Sequence, residues 1–203
     1  MSEYKKTIDL YGDAIGRVDY ISHMGSDLTV VNSARVSFGT QRDALDKRDR
    51  KLIRYLIAHK HTSTLEHCVV TYKFTVPLYI RSQHHRHRTW SYNEISRRYT
   101  EKDLQFYCPR EFRTQHKSNR QASNTEEMID PYLYKDPDQE LIPAFHPSAS
   151  ETYSQHCMHS LLLFEELVNK GVCREQARGV LPQTLYTEYY GTVNLNNLLK
   201  FVS

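Results

Sequence analysis

The residues best suited to chemistry stand in one stretch, 86–99, which reads Arg-His-Arg-Thr-Trp-Ser-Tyr-Asn-Glu-Ile-Ser-Arg-Arg-Tyr. The side chains of its first run, Arg86–Arg88, fan out from a helix end or a loop and can surround an anion. Guanidinium groups bind phosphate oxygens two at a time, so arginine is the residue expected to hold a pyrophosphate or a nucleotide phosphate. Five arginines lie between positions 81 and 98 against the single acid Glu94. The stretch predicts an anion site, and the alternative for its first three residues alone is a solvated basic helix end.

The remainder of the stretch combines small hydroxyls, an amide, a carboxylate and an aromatic ring, and only Trp90 and Ile95 are apolar. Its polar members are Ser91, Asn93, Glu94, Ser96, Arg98 and Tyr99. A phosphate needs arginine and serine donors, while a pyrimidine ring needs an amide or carboxylate along its edge and an aromatic neighbour. This composition favours a nucleotide site over an ordinary surface loop.

Two other classes of site can be weighed against the nucleotide site. Nucleic-acid binding would place arginines on backbone phosphates and stack tyrosines on bases, but it predicts a broad basic surface, and the net charge is only +3. A metal site could use the histidines at 84, 85 and 87, or His156 with His159, but neither group has a carboxylate at ligand spacing. We expect no metal, and we expect His156 and His159 to lie on a partly exposed helix face.

The length of 203 residues predicts a single domain over 1–203, and a mean hydropathy of −0.67 favours additional burial between subunits. No apolar run is long enough for a membrane span or a secretory signal, which predicts a cytoplasmic protein, in the host cytoplasm if the source is viral. The four cysteines are scattered without a Cys-x-x-Cys pair, which predicts reduced thiols rather than a zinc finger.

The elements that must position the stretch are predicted by hydrophobic period. Helical spacing of Leu52, Ile53, Leu56 and Ile57 predicts an amphipathic helix over 46–59. Alternation over 67–76 predicts a strand, with Cys68, Val70, Tyr72, Phe74 and Val76 on one face. Pro77 suits the first turn of a helix that continues from Leu78 to Arg88, carrying Gln83 and Arg86.

Weaker patterns complete the chain. Residues 17–24 predict a strand, Asp27 an N-cap for a helix through Ala34, and Gly39 the end of that region. Residues 110–150 are polar and proline-rich, which predicts a long loop or insertion. Helices are expected over 150–170, 173–181 and 194–203, the first burying Met158, Leu161, Leu162, Phe164, Leu167 and Val168. The order of elements suggests an α+β fold.

The stretch resembles the signature of the flavin-dependent thymidylate synthases, the ThyX family, which is Arg-His-Arg followed after seven residues by Ser, here Arg86 to Ser96. The resemblance extends in family order over residues 33–201, with 110–150 unaligned. The further matching segments are Ala34–Ser37, His61–His67, Arg174–Pro182 and Asn194. It implies a central, mainly antiparallel sheet flanked by helices, assembled as a homotetramer with active sites shared between subunits.

The resemblance also implies the site residues. The expected flavin-binding residues are Arg86, His87, Arg88, Ser63, Glu66, Asn93, Asn194 and His61, with Asn194 reaching the flavin of another subunit. The expected substrate-binding residues are Gln83, Glu94, Ser96, Arg97, Arg98, Tyr99 and Arg178. Arg178, Arg98 and Ser96 form the expected catalytic group. Ser96 has no general base at a defined spacing, so it is assigned to substrate binding rather than to attack.

The implied reaction makes dTMP from dUMP, with a methylene group from 5,10-methylenetetrahydrofolate and hydride from FADH2 regenerated by NADPH. No cysteine stands in the context of the thiol-dependent thymidylate synthases, so arginines are expected to polarise the pyrimidine. An alternative is an inactive family member that binds nucleotide or flavin. The family pattern continues beyond the last helix into a Leu-Arg pair whose arginine contributes to the site, and this sequence is shorter than that pattern.

Overall fold

The computed structural model describes residues 6–96, 104–133 and 147–203. They form two compact units, one holding the described residues up to Ile95 together with Thr187–Ser203, and the other holding those from Ser96 to Tyr186. No helix within these ranges is both long enough and apolar enough to cross a membrane.

The described residues form seven strands and six α-helices. The strands are β1 (Thr7–Asp9), β2 (Arg17–Met24), β3 (Val69–Pro77), β4 (Ser91–Glu94), β5 (Phe112–Gln115), β6 (Ser123–Ile129) and β7 (Tyr186–Asn194). The helices are α1 (Asp27–Arg35), α2 (Lys47–Ala58), α3 (Leu78–His84), α4 (Ala149–Asn169), α5 (Arg174–Ala177) and α6 (Leu195–Val202). Short 3-10 helices cover Val36–Phe38, Thr62–His67 and Arg178–Val180.

Five of the strands form one sheet in the order β1-β2-β3-β7-β4. The pairs β1–β2, β2–β3 and β4–β7 are antiparallel. Strands β3 and β7 also run in opposite directions, because Thr71 meets Thr192 at 3.0 Å between hydroxyls and the Leu195 amide donates to the Cys68 carbonyl at 2.8 Å. The predicted α+β fold with a mainly antiparallel sheet is confirmed.

Aromatic residues fill the core beneath this sheet. Its buried members are Phe74, Val76, Trp90, Tyr189 and Val193. The Phe74 and Tyr189 rings stack at 5.1 Å across β3 and β7. A side chain at Gly191 would place its Cβ 2.9 Å from the Phe74 ring and 3.2 Å from Trp90. Glycine is therefore favoured at position 191, where the Phe74 and Trp90 rings approach the backbone of β7 closely.

Helices α1 and α2 pack together through a second apolar cluster of Val30, Leu56, Leu65 and Cys68. The expected N-cap of α1 is corrected by one residue, since Ser26 holds that position and Thr29 completes a capping box, so Asp27 is the first helical residue. The prediction of α2 is confirmed, with Asp46 accepting from the amides of Arg48 and Asp49. The apolar face predicted for α2 included Ile57, but this side chain is 48% exposed, so the buried face is narrower than predicted.

A partly buried ion pair joins the two helices. The Arg35 guanidinium donates to the Asp49 carboxylate at 2.6 Å, and Asp49 is fully buried. Burial alone would raise the pKa of Asp49, but the hydrogen bonds from Arg35 and from the Asp46 backbone hold it below its usual value. Arg35 belongs to Ala34–Ser37, one of the segments that resemble the family pattern. Through the Arg35–Asp49 ion pair, this segment links α1 to α2.

Two boundaries next to the signature differ from expectation. The strand predicted from His67 begins at Val69, since the Thr62–His67 turn is a 3-10 helix. Pro77 is the N-cap of α3 rather than a first-turn residue, and α3 ends at His84, so Arg86 does not lie on the helix. The backbone leaves the helix one residue before the arginine run because the amides of Arg86 and His87 form turn bonds to Gln83 and His84.

The second unit corrects the prediction that 110–150 is one long loop. Strands β5 and β6 form an antiparallel hairpin there, and Pro137 and Pro143 lie outside the described residues. Helix α4 begins at Ala149 after a capping box formed by Ser148 and Glu151. Its predicted buried face holds only for part of its length. Phe164 is buried, as are Cys157 and Ser160, whereas Met158 and Leu162 are 57% and 55% exposed.

Strand β7, a central strand of the sheet, was missed by the sequence reasoning. Its sequence Tyr-Thr-Glu-Tyr-Tyr-Gly-Thr-Val-Asn is rich in β-branched and aromatic residues, which is a usable strand signal. The alternation of apolar and polar residues is broken, since both Tyr186 and Thr187 are buried. The predicted helix at 194–203 is confirmed as α6, with Asn194 at its N-cap.

Candidate functional site

The Arg86–Arg88 run occupies an exposed turn between α3 and β4. All three side chains are exposed to solvent. The turn is closed by backbone hydrogen bonds from Arg86 to the Gln83 carbonyl at 3.1 Å and from His87 to the His84 carbonyl at 3.0 Å. The Tyr92 hydroxyl adds a side-chain contact, donating to the carbonyl of His84 at 2.8 Å and lying 3.1 Å from that of His87.

The polar residues after the turn lie on a strand rather than on a loop. Strand β4 pairs with β7, placing Asn93 opposite Tyr190 and Glu94 opposite Tyr189. Successive side chains of a strand point to opposite faces. Asn93 is accordingly exposed, and Glu94 is only partly exposed. The structure thus assigns Asn93 and Glu94, which sequence reasoning treated as neighbours in one loop, to opposite faces of β4.

Glu94 is held by three donors. Arg81 on α3 donates from Nε to Oε1 at 2.9 Å and pairs through Nη2 with Oε2 at 2.9 Å. The Thr187 hydroxyl donates to Oε1 at 2.6 Å. This paired geometry fixes both the position and the orientation of the carboxylate. Gln83, two residues beyond Arg81, is exposed on α3.

His84 lies inside the aromatic core. It is 7% exposed, its Nδ1 is 2.8 Å from the Tyr189 hydroxyl, and its ring meets those of Trp90 and Phe74 edge-on at 4.6 and 4.8 Å. Burial, with the charges of His85 and His87, lowers the pKa of His84 from 6.5 to about 4. The buried imidazole is therefore neutral at physiological pH.

Within the described ranges, no group of three or more His, Cys, Asp or Glu side chains could hold a metal ion. His156 and His159 are exposed on α4, which confirms the expected helix face.

Four further flavin candidates lie at the start of β3 and the end of β7, the end at which Ser91 of β4 pairs with Thr192. His61, Ser63 and Glu66 are exposed on or beside the Thr62–His67 turn. Glu66 accepts a hydrogen bond from the Asn196 amide at 2.9 Å, which ties this turn to α6. Asn194 uses Oδ1 to accept from the Asn197 backbone at 2.9 Å, so its amide hydrogens are the part of the side chain that a ligand can use.

The remaining candidates belong to the second unit or lie outside the described residues. Arg178 is exposed at the start of the Arg178–Val180 turn, beside the fully buried Ala177. Ser96 is the first residue of this unit and is partly exposed. Arg97, Arg98 and Tyr99 lie outside the described residues.

The four cysteines are free, as expected. Burial raises the pKa of Cys68, and burial together with the neighbouring Cys157 thiol raises the pKa of Cys108 to about 11. Because the thiolate is the reactive form, these shifts oppose nucleophilic use of Cys68 and Cys108. Cys173 is exposed beside α5.

Comparison with known proteins identifies the family. A family model described as thymidylate synthase complementing protein, Thy1, matches residues 19–203. The chain belongs to this family. The predicted resemblance to the flavin-dependent thymidylate synthases is thereby confirmed.

Curated relatives carry the same description. The flavin-dependent thymidylate synthase of Thermus thermophilus is 37% identical over 187 residues, covering 92% of this chain and 63% of the relative. That of Kosmotoga olearia is 36% identical over 191 residues, covering 93% of this chain and 75% of the relative. This Thy1 family chain therefore spans less than two thirds of the length of the Thermus relative.

Solved structures agree with the fold. A UMP/dUMP methylase, PolB from Streptomyces cacaoi bound with 5-Br dUMP, superposes with a TM-score of 0.73 at 30% identity, covering 96% of this chain and 79% of that chain. The same enzyme bound with 5-Br UMP gives a TM-score of 0.70 at 31% identity, covering 91% and 74% of the two chains.

Sequence reasoning about this Thy1 family chain missed two functional candidates. Arg81 was counted among the basic residues without a role, and Thr187 lies on the unpredicted strand β7. Both donate hydrogen bonds to Glu94, from which Arg81 is separated by 13 residues and Thr187 by 93 residues in the sequence. A salt bridge between α3 and β4 has no local periodicity to reveal it, so only the unusual excess of arginine over acid pointed to Arg81.

Proposed function

We propose that this chain is a flavin-dependent thymidylate synthase, which makes dTMP from dUMP with a methylene group from 5,10-methylenetetrahydrofolate. Hydride would come from FADH2, regenerated by NADPH. The observation that supports this most is the exposed Arg86–Arg88 turn followed directly by the fixed Glu94 carboxylate, in a chain of the Thy1 family. The turn provides cationic donors for phosphates, and the Glu94 carboxylate provides an acceptor for the edge of a ring.

The turn has the chemistry that FAD requires. None of the ion pairs among the described residues involves Arg86 or Arg88, so these two cations are available to an anionic ligand. A pyrophosphate matches paired guanidinium donors. We assign Arg86, His87 and Arg88 to flavin binding, with a second group of contacts from His61, Ser63, Glu66, Asn93 and Asn194.

Glu94 is suited to binding the uracil ring of dUMP. Its Oε1 accepts from both Arg81 and Thr187, whereas Oε2 accepts only from Arg81 among the described contacts. A carboxylate oxygen has two lone pairs, so Oε2 can accept a further hydrogen bond from a ring N–H. Gln83, Ser96, Arg97, Arg98, Tyr99 and Arg178 complete the proposed nucleotide-binding set.

Arginines would carry the activation of the pyrimidine. Arg98 and Arg178 are assigned to the phosphate and to a ring carbonyl, where a guanidinium stabilises developing negative charge on oxygen. Ser96 would bind the substrate as a hydroxyl donor. Reduced flavin, when bound, supplies the hydride. The raised thiol pKa values of Cys68 and Cys108 support a mechanism in which cysteine is not the nucleophile.

The proposed assembly is a homotetramer with shared active sites. Exposed apolar side chains on α4 support burial against other subunits, since Met158, Leu162 and Leu163 are 57%, 55% and 46% exposed. Sedimentation equilibrium should give a mass about four times that of the 24.0 kDa chain. A monomer at micromolar concentration would contradict this part of the proposal.

One assay tests the activity. The purified protein is incubated with FAD, methylenetetrahydrofolate and NADPH, and either dUMP or UMP, while the methylated nucleotide is followed by chromatography. We expect product from dUMP. UMP is included because the solved relative PolB is a UMP/dUMP methylase, and product from UMP would support that second function.

The other outcomes identify the alternatives. Bound flavin without either product would indicate an inactive, nucleotide-binding family member. Neither bound flavin nor product would contradict the proposal. Binding of a labelled single-stranded oligonucleotide with strong salt dependence would instead favour the nucleic-acid alternative.

A further inference from the structure

The Arg86–Arg88 turn follows directly after the end of a helix, where backbone groups lack partners. The last carbonyls of an α-helix have no intrahelical donor and need another group to satisfy them. Here α3 ends at His84, whose carbonyl accepts from the His87 amide, and the His87 carbonyl accepts a weak bond of 3.4 Å from Trp90. Backbone bonds alone therefore hold this turn loosely at its second end.

The Tyr92 hydroxyl lies between these two carbonyls. Its oxygen lies 2.8 Å from the His84 oxygen and 3.1 Å from the His87 oxygen, so its single hydrogen can be donated to either carbonyl. The residues that carry these two oxygens, His84 and His87, lie on either side of Arg86 in the sequence. One phenol thus bridges the first and last residues of the segment that bends the chain away from α3.

Tyr92 is itself held by rigid neighbours. Its backbone pairs with Gly191 of β7, and its ring stacks on His85 at 4.0 Å. The Tyr189 ring meets it edge-on at 6.0 Å. Burial raises the pKa of Tyr92 to about 12, so the phenol remains a donor throughout the physiological range. The hydroxyl has a fixed position relative to the sheet.

The turn also has a contact on its other side. The Phe201 ring of α6 meets the His87 imidazole edge-on at 4.8 Å. The exposed arginines themselves have no ion pair among the described residues, so the backbone of the turn determines where their side chains begin. A ligand site of this kind binds tightly only when its supporting contacts hold the donors in place before binding.

We propose that Tyr92 is a positioning residue, which fixes the Arg86–Arg88 turn from the sheet through its hydroxyl so that the turn is shaped for the flavin before the flavin binds. The assignment rests on the proposed flavin function of the turn. It gives Tyr92, a residue of the signature with no predicted role, a defined task. Tyr92 acts through the backbone carbonyls of His84 and His87 and not by touching the reacting atoms.

Tyr92→Phe tests the proposal because it removes only the hydroxyl and keeps the ring in the core. The control is Tyr132→Phe in the second unit, where the tyrosine is 70% exposed. Three quantities are measured on each protein: the FAD dissociation constant by fluorescence quenching, the melting temperature without FAD, and hydrogen exchange of the segment 84–90. The dUMP dissociation constant is measured in parallel by calorimetry.

We expect Tyr92→Phe to weaken FAD binding about tenfold and to speed hydrogen exchange in 84–90, while the melting temperature falls by less than about 5 °C and the dUMP constant stays at its wild-type value. Unchanged FAD binding in a variant whose parent binds FAD would overturn the assignment. So would a loss of FAD binding that comes with a fall in melting temperature of more than about 5 °C, since that result indicates a general structural role. A wild-type protein that does not bind FAD would refute the proposed function itself, and the role of Tyr92 with it.

Discussion

Arg81 and Glu94 form a two-point ion pair, with Nε and Nη2 of the guanidinium each 2.9 Å from a different carboxylate oxygen. The pair connects α3 to β4, an edge strand of the five-stranded sheet. Both side chains are partly exposed, at 31% and 21%. Glu94 therefore keeps contact with solvent, and with any ligand, while its orientation is fixed from one side.

Replacing Arg81 should affect the nucleotide more than the fold. In Arg81→Ala, Glu94 loses two charge-assisted hydrogen bonds and retains only Thr187, so its carboxylate can rotate. We expect dUMP affinity, measured by calorimetry, to fall about tenfold, with FAD affinity unchanged. Arg81→Lys should show an intermediate loss, because lysine keeps the charge without the paired geometry.

The matched control for Arg81 is Arg50→Ala, which removes an exposed arginine from α2 in the same unit. It should leave both affinities unchanged. If Arg81→Ala folds normally and binds dUMP as tightly as the wild type, the role assigned to Glu94 in substrate binding is wrong.

Local periodicity explains what could be predicted of this fold. Helix α2 and strand β3 each show a regular spacing of apolar residues that identifies the element, although α2 buries a narrower face than expected and the end of β3 is buried on both faces. Strand β7 lacks this pattern because Tyr186, Thr187 and Tyr189 are all buried, so both of its faces contribute to packing. The hairpin β5–β6 is mostly polar, and its composition is typical of a loop.

The sequence predicted some residues of the candidate site but not how they are arranged. The sequence motif indicated the arginine turn and Glu94 through resemblance, since the family pattern is local. It did not indicate that Glu94 and Asn93 face opposite ways, because the stretch has no apolar alternation. Thr187 meets Glu94 because β4 pairs with β7, and Arg81 meets it because α3 lies against β4, and neither relationship is visible in a local pattern.

Acid should destabilise the first unit through His84. Its pKa is lowered from 6.5 to about 4 in the folded protein, so the unfolded chain binds the proton more readily. The contribution of the neutral His84 side chain to the free energy of unfolding is complete above pH 6.5, and it is lost as the pH falls from 6.5 towards 4. We expect the free energy of unfolding in urea to decrease by on the order of 2–3 kcal/mol over this range.

His84→Phe should flatten this pH dependence, although it leaves the Tyr189 hydroxyl without its partner and lowers stability at pH 8. His85, whose pKa is also lowered by burial, should retain a smaller slope. The control His159→Ala removes an exposed histidine and should leave the slope unchanged. An equal slope in His84→Phe and wild type would show that His84 does not titrate as described.

Single cysteine replacements should leave catalysis intact. Cys68→Ser, Cys108→Ser, Cys157→Ser and Cys173→Ser each remove one thiol, and kcat/KM for dUMP should stay within about threefold of wild type. Cys68 and Cys157 are buried, so these two variants should lower stability by about 1 kcal/mol, whereas Cys173→Ser should not. A variant with a wild-type melting temperature and no activity would point to a thiol mechanism.

Arg178 should separate nucleotide binding from flavin binding. It stands exposed at the first position of a 3-10 turn whose neighbour Ala177 is fully buried, so its backbone is anchored while its guanidinium is free to reach solvent. Arg178→Ala removes a charge-assisted contact to the nucleotide, which should reduce dUMP affinity by about 10- to 150-fold with the FAD constant unchanged. Arg120→Ala, an exposed arginine in the hairpin of the same unit, should change neither constant. Because Arg178→Lys keeps the charge but not the planar fork, it should recover part of the dUMP affinity. Loss of FAD and dUMP binding to the same degree in Arg178→Ala, at an unchanged melting temperature, would mean that Arg178 contributes to the flavin site as well, contrary to the role proposed for it.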